Sequence, residues 1–211
     1  MLYERSISLS ERSNEPYATH VPILVGVAAA FKSESIIEFG SGTFSTLAFL
    51  NETAFPFIRR VDSYENDQKW FNQVRKELTR GARVNLHFVE GEMHQAVGAA
   101  NPTNADLIFI DDSPTAIARV PTVREVARRC GVQPIVILHD NDLWRLRLAS
   151  RRFENRISFN TFNPQCCVMW HGHPERMSAL RRIRHVIRQY STNIPLTNIE
   201  AWMQAFKKEL K

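Results

Sequence analysis

Five short apolar runs each end in acids or small polar residues, and these are where the chain can do chemistry. The first end reads Glu38-Phe39-Gly40-Ser41-Gly42-Thr43-Phe44-Ser45-Thr46. Glycines there allow a tight turn and close approach of a ligand to the backbone at a helix N-terminus. A Gly-x-Gly after a strand can also open a dinucleotide loop, but the third glycine of that fingerprint is absent. Glu38, two residues ahead of Gly40, repels a pyrophosphate and suits a cation such as an ammonium or sulfonium. The second end reads Asp62-Ser63-Tyr64-Glu65. Glu65 stands about where an acid accepts the hydroxyls of a ribose. The third, Glu90-Gly91-Glu92-Met93, offers an acid to an adenine amine. The fourth and fifth are Asp111-Asp112-Ser113-Pro114 and His139-Asp140-Asn141-Asp142. Helix capping explains any one of these ends. It explains all five together poorly.

The elements that must position these residues follow from the hydrophobic pattern. Ser35 to Phe39, Phe57 to Tyr64, Arg83 to Val89, Asp106 to Ile110 and Pro134 to Leu138 read as strands. Phe44 to Leu50, Asp67 to Arg80 and Thr115 to Arg129 have helical spacing. The Val21 to Phe31 run is a helix ahead of the first strand. Alternation of this kind predicts βαβ units and a mostly parallel sheet with helices on both faces. Ile157 to Phe162 and Cys166 to Trp170 are separated only by Asn163, Pro164 and Gln165, too few residues for a crossover, so they form an antiparallel hairpin. Two helices follow, Pro174 to Tyr190 and Leu196 to Leu210. The expected fold is one α/β domain, residues 1–211, with a doubly wound, mostly parallel, seven-stranded sheet and an antiparallel C-terminal hairpin. Residues 1–33 form an N-terminal cap segment and 174–211 the C-terminal helices. In such sheets ligands bind beyond the carboxyl ends of the strands.

With these elements the chain resembles the class I S-adenosylmethionine-dependent methyltransferases, a Rossmann-like fold, from about Tyr17 to Trp170. EFGSGTFST is similar to the family's first motif and VDSYENDQKW to its second. FIDDSP and VILHD resemble the fourth- and fifth-strand motifs, and YATHVPIL resembles a lead-in found in a poorly characterised branch. The resemblance implies S-adenosylmethionine as cofactor, held by His20, Glu38, Gly40, Ser41, Gly42, Thr43, Ser45, Glu65, Asn66, Gly91, Glu92 and Asp111. Through the lead-in it also places Thr19 near the cofactor. Asp111, Asp140 and Asn141 fall where the catechol and caffeoyl-CoA O-methyltransferases hold a metal, so Mg²⁺ is one expectation. The other is metal-free, with His139 or Asp140 taking the proton of an attacking hydroxyl. Asp111, His139 and Asp140 are the expected catalytic residues either way. The acceptor is expected to be a small molecule or a sugar unit.

The rest of the sequence narrows the alternatives. With 211 residues, 44% apolar and 23% charged, the composition is that of a globular protein. The longest nearly apolar run, Val21 to Phe31, is far short of a membrane span. MLYERSISLSERSNE does not read as a signal peptide, and three cysteines make no disulfide framework, so a cytoplasmic setting is expected. The net charge is +5, and 14 Arg but only five acids lie between Arg119 and Arg188. These Arg read as solvated helix faces. An RNA-directed enzyme, or a methyltransferase-like module holding a polyanion on that side, is the alternative function. The Lys-rich tetrad of RNA ribose methyltransferases is missing, since no Lys stands between Lys76 and Lys207. His171-Gly172-His173 reads as a turn, Cys166 and Cys167 as strand residues on opposite faces, and Trp70 as core in preference to a flank of the adenine.

Overall fold

The computed structural model describes residues 16–78, 83–113, 115 and 117–210. The segment read as lacking a signal peptide, the first half of the cap and Arg80 therefore lie outside the described residues, as does Pro114. Seven strands form one sheet: β1 (Ser35–Phe39), β2 (Arg60–Glu65), β3 (Val84–Phe88), β4 (Leu107–Ile110), β5 (Ile135–Leu138), β6 (Asn155–Phe159) and β7 (Cys166–Trp170). Their order is β3-β2-β1-β4-β5-β7-β6. Six run in one direction. β7 alone is reversed and lies between β5 and β6, pairing Leu138 with Cys167 and Ser158 with Cys167. Strand order reverses between β1 and β4, so the carboxyl ends of these two strands border the crevice in which such sheets bind ligands.

Among the described residues, seven α-helices cover the sheet: α1 (Val21–Phe31), α2 (Gln68–Glu77), α3 (Met93–Ala100), α4 (Arg119–Arg129), α5 (Trp144–Ser150), α6 (Arg176–Tyr190) and α7 (Ile199–Glu209). Strand side chains alternate between two cores. Ile36, Phe109, Ile137 and Cys166 face α1, α6 and α7, while Ile37, Ile108, Ile110 and Cys167 face α3, α4 and α5. The two cysteines thus point to opposite faces, as their adjacency in a strand requires. Helix α1 packs closely on α6 and α7 because Gly26 carries no side chain. A Cβ there would lie 2.7 Å from both Ile183 and Phe206.

Several bounds differ from the sequence reading. Phe44 to Leu50 is a run of turns ending in a 3₁₀ helix, Ala48–Leu50, and not an α-helix. The polar side chains of this segment turn inward, and Thr46 Oγ1 accepts from the Gly42 amide. The second strand begins at Arg60 rather than Phe57. The preceding turn is held in the core through Phe55 and Ile58, and the Arg83 guanidinium gathers the carbonyls of Phe49, Phe55 and Ile58. Strand β6 begins two residues earlier than expected and ends three earlier, at Phe159. Helix α4 starts only at Arg119. Helices α3 and α5 were not anticipated. No helix among the described residues is long and apolar enough to cross a membrane.

Candidate active site at the carboxyl ends of the strands

The turn after β1 is shaped by Gly40, which sits at φ +90°. A Cβ on it would lie 2.4 Å from the Asp111 carbonyl oxygen and 2.6 Å from Asp112 Cα. Backbone cannot yield as a side chain can, so only glycine lets β1 and β4 end this close together. Ser41 is tied to the end of β2. Its amide and hydroxyl both donate to Glu65 Oε2, at 3.0 and 2.9 Å, and its carbonyl accepts from Trp70 Nε1. The other Glu65 oxygen accepts from the amides of Asn66 and Asp67. Burial raises the Glu65 carboxyl above its ordinary range in spite of these bonds.

Glu38 lies behind the loop. It is wholly buried, and its Oε2 accepts from Thr46 Oγ1 and from Ser63 Oγ on β2, each at 2.5 Å. Oε1 has no hydrogen-bond partner. Burial, only partly offset by hydroxyl donors, raises the carboxyl to about 7. Glu38 therefore pins the loop from below and does not line the cavity.

The cavity has a volume of about 450 Å³ and is lined by Tyr17, His20, Ser41, Gly42, Thr43, Phe44, Ser45, Trp70 and Asp111. The structure thus brings together six of the residues expected to bind cofactor: His20, Ser41, Gly42, Thr43, Ser45 and Asp111. Gly40, Glu38 and Glu65 support this group from behind. Asn66 donates to the Gly91 carbonyl, joining the ends of β2 and β3. Glu92 is exposed at the start of α3 and lies outside the cavity lining. Trp70, expected in the core, is a half-buried wall of the cavity. Tyr17 and Phe44 were not anticipated. Tyr17 is 71% exposed, and no sequence pattern marks a lone exposed aromatic as part of a wall.

Opposite the glycine loop lies a cluster built from three elements. His20 precedes α1 and is buried, with neither ring nitrogen hydrogen-bonded. Its ring meets that of His139 edge-on at 4.8 Å. Burial and the neighbouring His139 lower it to about 3, so it is neutral. His139 Nε2 lies 2.8 Å from Thr19 Oγ1, and Nδ1 lies 3.1 Å from Asp111 Oδ1. Burial works to raise the Asp111 carboxyl, but the hydrogen bond from His139 and the charges of His139 and Arg119 outweigh it and hold it low. Asp112, wholly buried, is pushed up to about 7 by burial, with Oδ2 accepting from Thr122 Oγ1.

Arg119 stands among the arginines that spacing assigns to solvated helix faces, yet it is 4% exposed. Its Nη2 lies 2.9 Å from Asp111 Oδ1 and its Nη1 2.7 Å from Asp140 Oδ2. It also donates to the carbonyls of Asp112, Ser113 and His139. The guanidinium fork therefore organises both strand ends. Asp140, at φ +55°, is held toward Arg119 and is not part of the cavity wall. With a cation already between Asp111 and Asp140, the trio of Asp111, Asp140 and Asn141 fits a divalent ion poorly, although Asn141 Oδ1 is buried without a partner. His171 and His173 sit in a turn as expected, His173 bonding Glu175 and His171 stacking on Phe153.

No family model matches the chain, and no curated protein matches it in sequence. Solved structures do match it in shape. Human methyltransferase-like protein 13 in complex with SAH superposes with a TM-score of 0.56 at 15% identity, over 85% of this chain and 92% of that one. The O-methyltransferase TomG from Streptomyces achromogenes, in complex with SAM, gives 0.55 at 15%, over 72% and 80%. Spermidine synthase from Thermotoga maritima gives 0.57 at 17%, over 92% and 74%. Together with the strand order and the reversed β7, these likenesses establish that the chain has the class I methyltransferase-like fold.

Proposed function

We propose that this protein transfers the methyl group of S-adenosylmethionine to an oxygen of a small molecule or sugar unit. One observation carries the reading: the glycine loop after β1 and the cluster around Asp111 are two walls of the same cavity. A cofactor seated on Ser41 to Ser45 has its cationic end near buried acids and its reacting group near Asp111. Structural neighbours that hold SAH or SAM support the same cofactor. A nucleotide pyrophosphate would instead meet the carboxylate of Asp111.

Methyl transfer is an in-line displacement, and positioning supplies much of the rate. The acceptor oxygen must also lose its proton. Asp111 lines the cavity and is backed by His139, so the proton passes to this pair while Arg119 holds the carboxylate in place. Asp140 acts through Arg119 as a positioning residue, which revises its expected role as a base.

Calorimetry with S-adenosylmethionine, S-adenosylhomocysteine and NAD tests the cofactor. The first two should bind and NAD should not. Glu65→Ala should weaken cofactor binding by roughly 1.5–3 kcal/mol, the scale for charge-assisted hydrogen bonds, because it frees Ser41 and any ribose hydroxyl alike. Asp111→Asn should cut turnover about a hundredfold. Tight cofactor binding with no turnover on hydroxyl acceptors would favour a binding module instead.

A further inference from the structure

We infer that His20, Asp111 and His139 form a transition-metal site, with two imidazole nitrogens and a carboxylate oxygen as ligands. Their ligand atoms all lie within 4.8 Å of one another, and no other such grouping of His, Cys, Asp and Glu occurs among the described residues. Around a tetrahedral ion with bonds of about 2.1 Å, ligand atoms stand about 3.4 Å apart. Small side-chain rotations close that gap.

The hydrogen bonding points to a missing partner. Both His20 nitrogens are buried and unpaired. A neutral imidazole carries one N–H and one lone pair, and buried polar atoms nearly always have partners. His139 Nε2 lies 2.8 Å from Thr19 Oγ1. With an ion on Nδ1, Nε2–H donates to that hydroxyl, and Thr19 fixes the tautomer from outside the ligand set, as is usual for metal-bound histidine.

The charge is suitable as well. Asp111 and Asp140 with Arg119 between them leave one net negative charge. Two nitrogens and one oxygen select zinc, iron(II) or a similar ion over Mg²⁺, which seeks oxygens. His20 and Asp111 both line the cavity, which gives the ion an entry path and leaves a coordination position facing the proposed substrate. The site shares residues with the proposed transfer reaction but does not depend on it, so its test reads metal binding and not turnover.

The full chain, stripped by dialysis against a chelator, is titrated with Co²⁺ alone and then with Zn²⁺. One equivalent of Co²⁺ should bind with visible ligand-field absorption and be displaced by Zn²⁺. His20→Gln and Asp111→Asn should each weaken binding about a hundredfold or more. A His171→Gln/His173→Gln double variant should bind as the wild type does. X-ray absorption on the zinc-loaded wild type should show two imidazoles, which needs no variant to fold. Absence of saturable binding, a shell without imidazole, or loss of binding only in the His171/His173 variant would each overturn the inference. Calorimetry with S-adenosylhomocysteine on the metal-free chain separates the two readings. Binding there without metal binding sinks the metal site alone, and metal binding without it sinks the transferase reading alone.

Discussion

Gly40 has two independent reasons to be glycine: a positive φ and the Asp111 backbone 2.4 Å from where a Cβ would be. Gly40→Ala should therefore cost more than the roughly 1–2 kcal/mol of left-handed strain alone, since the ends of β1 and β4 must also part. A urea midpoint unchanged from wild type would contradict this. The residue was legible in sequence because a glycine after a strand has few other uses. Glu38, Glu65 and Asp111 were legible for a similar reason, being acids at strand ends. What the sequence could not show is which of them touches the cavity. Glu38 and Asp111 differ only in direction: one points back under the loop and the other into the open space. That difference is set by Thr46 and Ser63 for Glu38, and by Arg119 and His139 for Asp111.

Asp112, Ser113 and the start of α4 form one unit, closed by Arg119. The guanidinium spans two carboxylates and three carbonyls, so its loss leaves several buried acceptors unpaired. Breaking a buried pair typically costs about 3–5 kcal/mol. Arg119→Met should destabilise the fold on that scale, and Arg119→Lys should recover only part, because an ammonium lacks the fork. Thermal unfolding of the two variants checks this, and a lysine variant as stable as wild type would show that charge alone suffices. The sequence hid this element for a physical reason. Thirteen other arginines follow Arg119 up to Arg188, and many do sit on exposed faces. Spacing cannot tell the one that folds back. The hairpin of β6 and β7 was legible because three turn residues forbid a crossover, whereas short α5, only seven residues long, gave too little periodicity.

At the scale of the whole molecule, folding should be coupled to protons through the buried centre of the sheet. Glu38 is raised from 4.5 to about 7 by burial. Between those values the native chain holds a proton that the unfolded chain has released, so stability falls as pH rises and levels off above about 7. Asp112, also raised to about 7, acts in the same sense. His20, lowered from 6.5 to about 3, acts oppositely, because below 6.5 the unfolded chain takes up a proton that the native one refuses. The sum of these three over the window is a fall of about one group's slope, and a wild-type curve alone would not separate the parts. A difference does. Glu38→Gln keeps the size and removes the titration, so the stability of the variant relative to wild type should rise by roughly 3 kcal/mol between pH 4.5 and pH 7.5. Urea unfolding of both proteins at those two pH values measures it. If the difference is the same at both, Glu38 titrates near its ordinary value, and its burial beneath the glycine loop is compensated by donors other than Thr46 and Ser63.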